Sequence, residues 1–315
     1  MTQSIIHNIT NTAKRTGIAF LFIIGFACED QINPTLEEAP PIVVVDAWIN
    51  NLDEPQTIRL TNSQSYFDNT TPPAISGATV SIEDSEGRIY NFLEQTDGSY
   101  QWTPAMETFG AVGLDFTLTI MIGGTTYTAN SSMNRVPVID SVTFRFEEEN
   151  FILPDSYFAE FWSRDPIGTG DTYWIKAYKN GQFLNNPDEI NIAFDAGFSE
   201  GGNVDGLIFI PPIRDGINPF EEDEDDEFLS PYEDGDFVEV EIHSITNDAF
   251  IFLNETSLQI DRPGGFAELF ATPLSNVPTN IVSSDPAERV AGFFSVSAVE
   301  SNSSTLDVTQ VPRED

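Results

Sequence analysis

From residue 42 onward, apolar and polar positions alternate with period two in short runs, so strands are the main element the chain predicts. Residues 42–49 form a β-branched run ending in Ala47-Trp48-Ile49, and Gln56-Thr57-Ile58-Arg59-Leu60-Thr61 alternates strictly. Residues 78–83, 88–92, 100–102, 115–122 and 125–129 repeat the pattern. Turns at Ser85-Glu86-Gly87, Asp97-Gly98 and Gly123-Gly124 separate them. About seven short strands with Gly-centred turns and no helical period predict a β-sandwich over residues 41–135.

Pro137 in Val136-Pro137-Val138 cannot donate to a central ladder and follows a complete hairpin, so it marks a boundary. The second β-rich region, residues 136–315, opens with strand patterns at 141–146 and 158–162. Residues 172–178 lead into Asn180-Gly181, the pair expected of a type I′ hairpin turn. Residues 236–245 alternate so regularly that Val238, Val240 and Ile242 share one face, with Glu239, Glu241 and His243 opposite. Thr246 or Asn247 then caps a helix carrying Ala249, Phe250, Phe252 and Leu253, in a region expected to hold one or two short helices.

The apolar run at residues 18–27 follows Lys14-Arg15 and precedes Cys28, the single cysteine. It is too short for a bilayer, which takes about 20 apolar residues. Small residues Gly25 and Ala27 before a lone cysteine fit a lipoprotein signal peptide over residues 1–27, with the Cys28 thiol as the lipidation site. Gly25 stands where the common motif has Leu. An ordinary secretory signal with an incidental cysteine is the competing reading. Glu29 and Asp30 resemble the acidic surface-export signal of Bacteroidota lipoproteins, against plain linker acidity. Residues 28–40, acidic and rich in proline, form a tether.

Composition sharpens this picture. Loss of residues 1–27 would leave 288 of 315 residues, and loss of Lys14 and Arg15 would take the net charge from −38 to −40. Nucleic acid and anionic membrane surfaces repel such a chain. With Cys28 acylated no disulfide forms, so 25 Phe, 8 Tyr and 4 Trp must supply the packing.

Candidate chemistry is sparse. His243 is the one histidine after the leader, so a Ser-His-Asp triad would have to use it. On a Glu-bearing strand face it reads as solvated or salt-bridged. Zinc-type Cys/His spacing is absent. Paired carboxylates of the glycosidase kind have too many candidates among 51 acidic residues to single any out. Glu221 to Glu227 are seven consecutive carboxylates, read as a solvated loop or a loose calcium site. Asp223, Asp225 and Glu227 have the spacing of EF-hand ligands, but Phe228 stands where the loop needs Gly, which rejects that motif. No catalytic residue, cofactor site or metal site is assigned, and the chain reads as a non-enzyme.

Two resemblances add to this reading. Ile75-Ser76-Gly77-Ala78-Thr79-Val80 with Gly98-Ser99-Tyr100 resembles the Ig-like, transthyretin-like type of sandwich, a module without catalysis of its own. Gly123-Gly124-Thr125-Thr126-Tyr127-Thr128-Ala129 running into Val136-Pro137-Val138-Ile139-Asp140-Ser141-Val142 resembles the domain junction of the DUF4249 family of Bacteroidota outer-membrane lipoproteins. Asp165-Pro166-Ile167-Gly168, Phe270-Ala271-Thr272-Pro273 and Ala291-Gly292-Phe293-Phe294-Ser295-Val296-Ser297-Ala298 follow in the family's order. Asp171-Thr172 departs from an expected Asn-Tyr-like pair, and residues 221–227 are an expansion. The resemblance implies a surface lipoprotein acting as a binding or accessory subunit beside a TonB-dependent outer-membrane receptor. An adhesion or envelope-assembly protein is the alternative, and a glycan-active enzyme the third.

Overall fold

The computed structural model describes residues 40–313 apart from 66, 67, 69, 106, 107, 152, 223–226, 263–269, 272 and 274. Residues Pro41–Asp315 form one compact unit. Its first seven strands are β1 (Val43–Asn50), β2 (Gln56–Asn62), β3 (Thr79–Asp84), β4 (Ile89–Glu94), β5 (Ser99–Trp102), β6 (Asp115–Ile122) and β7 (Thr125–Ser132). Alternation becomes burial directly. In β2, Gln56, Ile58 and Leu60 are buried while Thr57 and Arg59 face solvent. Ile58, Leu60, Tyr100, Leu118 and Ile120 all lie at 0% exposure in one core. The Tyr100 hydroxyl donates to the Ile75 carbonyl and accepts from the Ala78 N–H, both at 3.0 Å, so it fixes the loop before β3.

The second half contributes β8 (Ile139–Glu147), β9 (Ser156–Ser163), β10 (Thr172–Lys179), β11 (Gln182–Phe183), β12 (Asn191–Phe194) and β13 (Phe237–Ile245). Two α-helices are described, α1 (Pro211–Asp215) and α2 (Asn247–Ile260), followed by β14 (Val282–Ser283), β15 (Val290–Ser297) and β16 (Val299–Thr305). The protein is therefore mainly β, as the periodicity implied. Asn180 and Gly181 both have positive φ, +54° and +80°, which is what the two-residue turn between β10 and β11 requires. In β13, Val238, Val240 and Ile242 are completely buried. Thr246 caps α2 by accepting from the Ala249 N–H at 3.2 Å.

The sheets partition differently from the sequence boundary at residue 136. One sheet has the order β14-β7-β6-β3-β4-β5-β2-β1-β15, so residues 282–297 return to the N-terminal strands. It nearly closes on itself. The Val296 N–H donates to Ser131 Oγ at 2.9 Å, and Asn280 Nδ2 donates to both Asn130 and Phe294 carbonyls. β15 runs parallel to β1, pairing Val45 with Gly292. After Ala298 the chain continues as β16, the edge of the second sheet, β11-β10-β13-β16, with β12 also on β10. One nearly continuous strand thus passes between the sheets. A buried clasp holds the crossing: Ser244 Oγ donates to the Asn134 carbonyl at 2.8 Å and accepts from the Ala298 N–H at 3.0 Å.

Candidate binding groove

Where the strand changes sheets, β1 and β15 of the first sheet meet β10 and α2. The third core cluster forms here around Ile245, Ala249, Leu253 and Phe293. Trp48, on the face of β1 turned away from the first core, stacks on Phe293 at 5.8 Å and meets Trp174 edge-on at 5.0 Å. Phe252 of α2 completes the cluster, 4.7 Å from Phe293 and 6.0 Å from Trp48. Such pairs each contribute about 0.5–1.5 kcal/mol beyond area burial, so the seam is a rigid aromatic wall.

Beside this wall lies a groove of about 390 Å³, bordered also by Asp46, Phe183, Glu189 and Gly292. Gly292 is there for a steric reason. It has φ +94°, and a Cβ on it would lie 1.9 Å from the Val45 carbonyl oxygen.

Polar groups are few: Asp46, Asn185, Glu189 and Thr256 border the groove, and Lys176 lies just beside it, next to two of its rings. Lys176 follows Trp174 on the same face of β10 and places Nζ 4.1 Å from the Trp174 ring centre and 5.8 Å from that of Phe183. Among the described residues its ammonium has no hydrogen bond or ion pair. Desolvation lowers its pKa to about 8, against the opposing pull of Glu241, Glu54 and Asp46. Asp46 keeps solvent access, yet the protein packed around it raises its carboxyl above the usual range, with Arg59 and Lys176 pulling back. Glu189 ends a short 3-10 turn, Pro187–Glu189; Oε2 accepts from the Asn186 N–H at 2.6 Å. Glu189 Oε1 is buried with no hydrogen-bond partner among the described residues.

Lys176 lies opposite Glu241 in the ladder, yet Glu241 is engaged elsewhere. Glu241 Oε2 lies 2.8 Å from His243 Nε2 and accepts from the Tyr178 hydroxyl at 3.1 Å. His243 is paired as its strand face suggested, but at 4% exposure it is buried rather than solvated, because Trp174 lies across it at 6.3 Å. Burial lowers its pKa to about 4, with Lys176 adding and Glu241 opposing. A neutral imidazole fixed to a carboxylate has the look of structure; it does not border the groove.

Asp165, Asp195 and Asp205 bring carboxylate oxygens within 4.8 Å of one another beside a polar cavity of about 560 Å³. Hard cations such as calcium take ligands of this type. Each carboxylate already has backbone donors: Gly206 N–H for Asp165, Gly170 and Asp171 for Asp195, Gly168 for Asp205. Burial pushes the Asp165 carboxyl up, and the Gly206 N–H and Tyr173 hydroxyl oppose it. Arg135 holds the same loop from outside through Asp171 at 2.6 Å and the carbonyls of Ile167 and Gly168. That network gives Asp165-Pro166-Ile167-Gly168 its physical reason and explains the acid at Asp171.

Cys28, Glu29 and Asp30 lie outside the described residues, as does the tether before Pro40. Of the acidic run, residues 223–226 also lie outside them. Its flanks are paired by a Glu222–Phe228 bridge, with the Phe220 and Phe228 rings 4.4 Å apart. The groove was hidden from sequence reading. Trp48, Trp174 and Phe293 stand far apart in sequence on three separate strands, and Glu189 is one acid among many.

No curated protein is significantly similar to the chain. The profile of the domain of unknown function DUF4249 matches residues 29–303, nearly everything after Cys28. The chain therefore belongs to the DUF4249 family.

Proposed function

We propose that the chain is a non-catalytic binding subunit, anchored to the outer membrane through Cys28, directed to the cell surface by Glu29 and Asp30, and working beside a TonB-dependent barrel. The observation that carries the binding role is the groove: an aromatic wall built from both sheets, with a lysine ammonium beside it and a carboxylate oxygen bordering it that make no hydrogen bond among the described residues. Concave, largely apolar sites with few polar groups are the usual form of small-ligand sites. The barrel as partner comes from the family resemblance. The outward face of α2 supports docking of some kind, since Ile251 and Leu258, seven residues apart and so on one side, are 49% and 47% exposed on a helix whose other side is packed. The same face favours the second reading, an adhesion or envelope-assembly protein.

Purification of the C-terminally tagged lipoprotein in mild detergent, with mass spectrometry, tests partnership. A barrel receptor should co-purify, and Ile251→Glu with Leu258→Glu should release it. Repeated emergence of the wild type alone, while a known receptor–lipoprotein pair survives the same treatment, removes stable docking. Cys28→Ser should block maturation or give a soluble protein, and protease added to intact cells should digest the wild type but spare a Glu29→Ala, Asp30→Ala variant.

A further inference from the structure

We propose that the groove at the seam takes a neutral saccharide, with a sugar C–H face against Trp48 and its hydroxyls shared by Asp46, Lys176 and Glu189. This rests on the reading of the groove as a ligand site and adds the class of ligand.

Three observations select that class. The wall is aromatic: Trp48 and Trp174 are only half-buried at 5.0 Å from each other, and Phe252 and Phe293 back them. A flat C–H face packs on such rings without needing charge. Next, among the described residues Lys176 Nζ, beside the groove, is a donor without an acceptor and Glu189 Oε1, on its border, an acceptor without a donor. A hydroxyl can accept from the first and donate to the second, and a polyol carries many hydroxyls. Leaving the buried Glu189 oxygen unpaired costs free energy that a polyol hydroxyl would recover.

Charge decides the rest. An anionic ligand would meet Asp46 and Glu189 on a chain of net charge −38. An organic cation would meet Lys176, whose ammonium already covers the Trp174 ring at 4.1 Å. With both signs at one groove, the ligand that neither repels is uncharged. The volume of about 390 Å³ falls within the roughly 300–1,000 Å³ of ordinary ligand sites.

The test uses the whole mature lipoprotein in a detergent without a sugar head group, titrated with cellohexaose, maltohexaose, xylohexaose and mannohexaose. Calorimetry and tryptophan fluorescence are the readouts. Oligogalacturonate and chitosan oligomers serve as anionic and cationic counterparts. At least one neutral oligosaccharide should bind with Kd below about 1 mM and shift the tryptophan emission. Lys176→Met and Glu189→Gln should each weaken it by about tenfold or more. Trp48→Ala should abolish the emission shift. Because Trp48 also packs in the core, the two edge variants, with melting temperatures near that of the wild type, decide the matter. The proposal fails if no neutral oligosaccharide gives heat on folded protein, if a charged one binds as well, or if binding survives both edge variants. If the sugars fail and a barrel still co-purifies, only the ligand class falls. If a sugar binds and no barrel is recovered, docking falls and the groove stands.

Discussion

Two residues show how much of this architecture depends on single atoms. Gly292 sits in β15 where the parallel partner β1 approaches so closely that a Cβ would meet the Val45 carbonyl oxygen at 1.9 Å. Neither backbone can retreat, since Val45 is fully buried and Thr279 Oγ1 holds the Gly292 carbonyl at 2.6 Å. Gly292→Ala should therefore cost at least about 3 kcal/mol, read as a loss of denaturation midpoint, and a near-neutral result would show that the strand approaches less closely. His243 is the second. Its folded pKa of about 4 lies below the unfolded value of about 6.5, so the unfolded chain takes up the proton first. Its contribution is fully present above pH 6.5 and is lost as pH falls toward 4. Between pH 6.5 and 5 the loss should reach about 2 kcal/mol. His243→Gln, which keeps a donor for Glu241, should flatten the curve in that window; parallel curves for variant and wild type would mean the imidazole titrates normally.

At the scale of the element, local patterns were legible and long-range pairings were not. The buried Val238, Val240 and Ile242 of β13 and the cap of α2 could be read directly, because alternation and a cap are properties of neighbouring positions; the burial of His243, which Trp174 covers from another strand, could not. Thr246→Ala should cost about 1 kcal/mol as the cap is lost. Leu253→Ala, which empties a buried site against Phe293, should cost about 2–5 kcal/mol. If the two variants melt alike, the helix is held by its cap rather than by its packing. By contrast, nothing local tells residues 290–297 to pair with residues 43–50, since a parallel ladder leaves no turn between its partners. The region after Pro137 therefore reads as separate although β14 and β15 belong to the first sheet. The same blindness hid the groove, whose wall joins Trp48, Trp174, Phe252 and Phe293 only after that pairing is made. It hid Asp165, Asp195 and Asp205 for a second reason: in a chain this acidic, proximity of three carboxylates has no sequence mark.

For the whole molecule, charge is the dominant long-range term. With 51 acidic residues against 13 basic ones, folding concentrates like charges that the unfolded chain keeps further apart. Stability should thus rise with ionic strength, as the Debye length falls from about 30 Å at 0.01 M to about 10 Å at 0.1 M salt. The densest contribution is Glu221 to Glu227, whose flanks are drawn together by the Glu222–Phe228 bridge. Replacing Asp223, Glu224, Asp225 and Asp226 with Ser should hold or raise the melting temperature at low salt, and the advantage should vanish at high salt. Calcium separates screening from binding. If the run is simply solvated, calcium should stabilise no more than magnesium at equal concentration, because both screen alike. A calcium-specific rise lost on serine replacement would make residues 223–226 part of a cation site. A calcium-specific rise that survives that replacement but disappears in Asp195→Asn would place the ion with Asp165 and Asp205. The expected outcome is neither, since backbone N–H groups already accompany all three carboxylates of that cluster and the acidic run has no glycine to turn it around an ion.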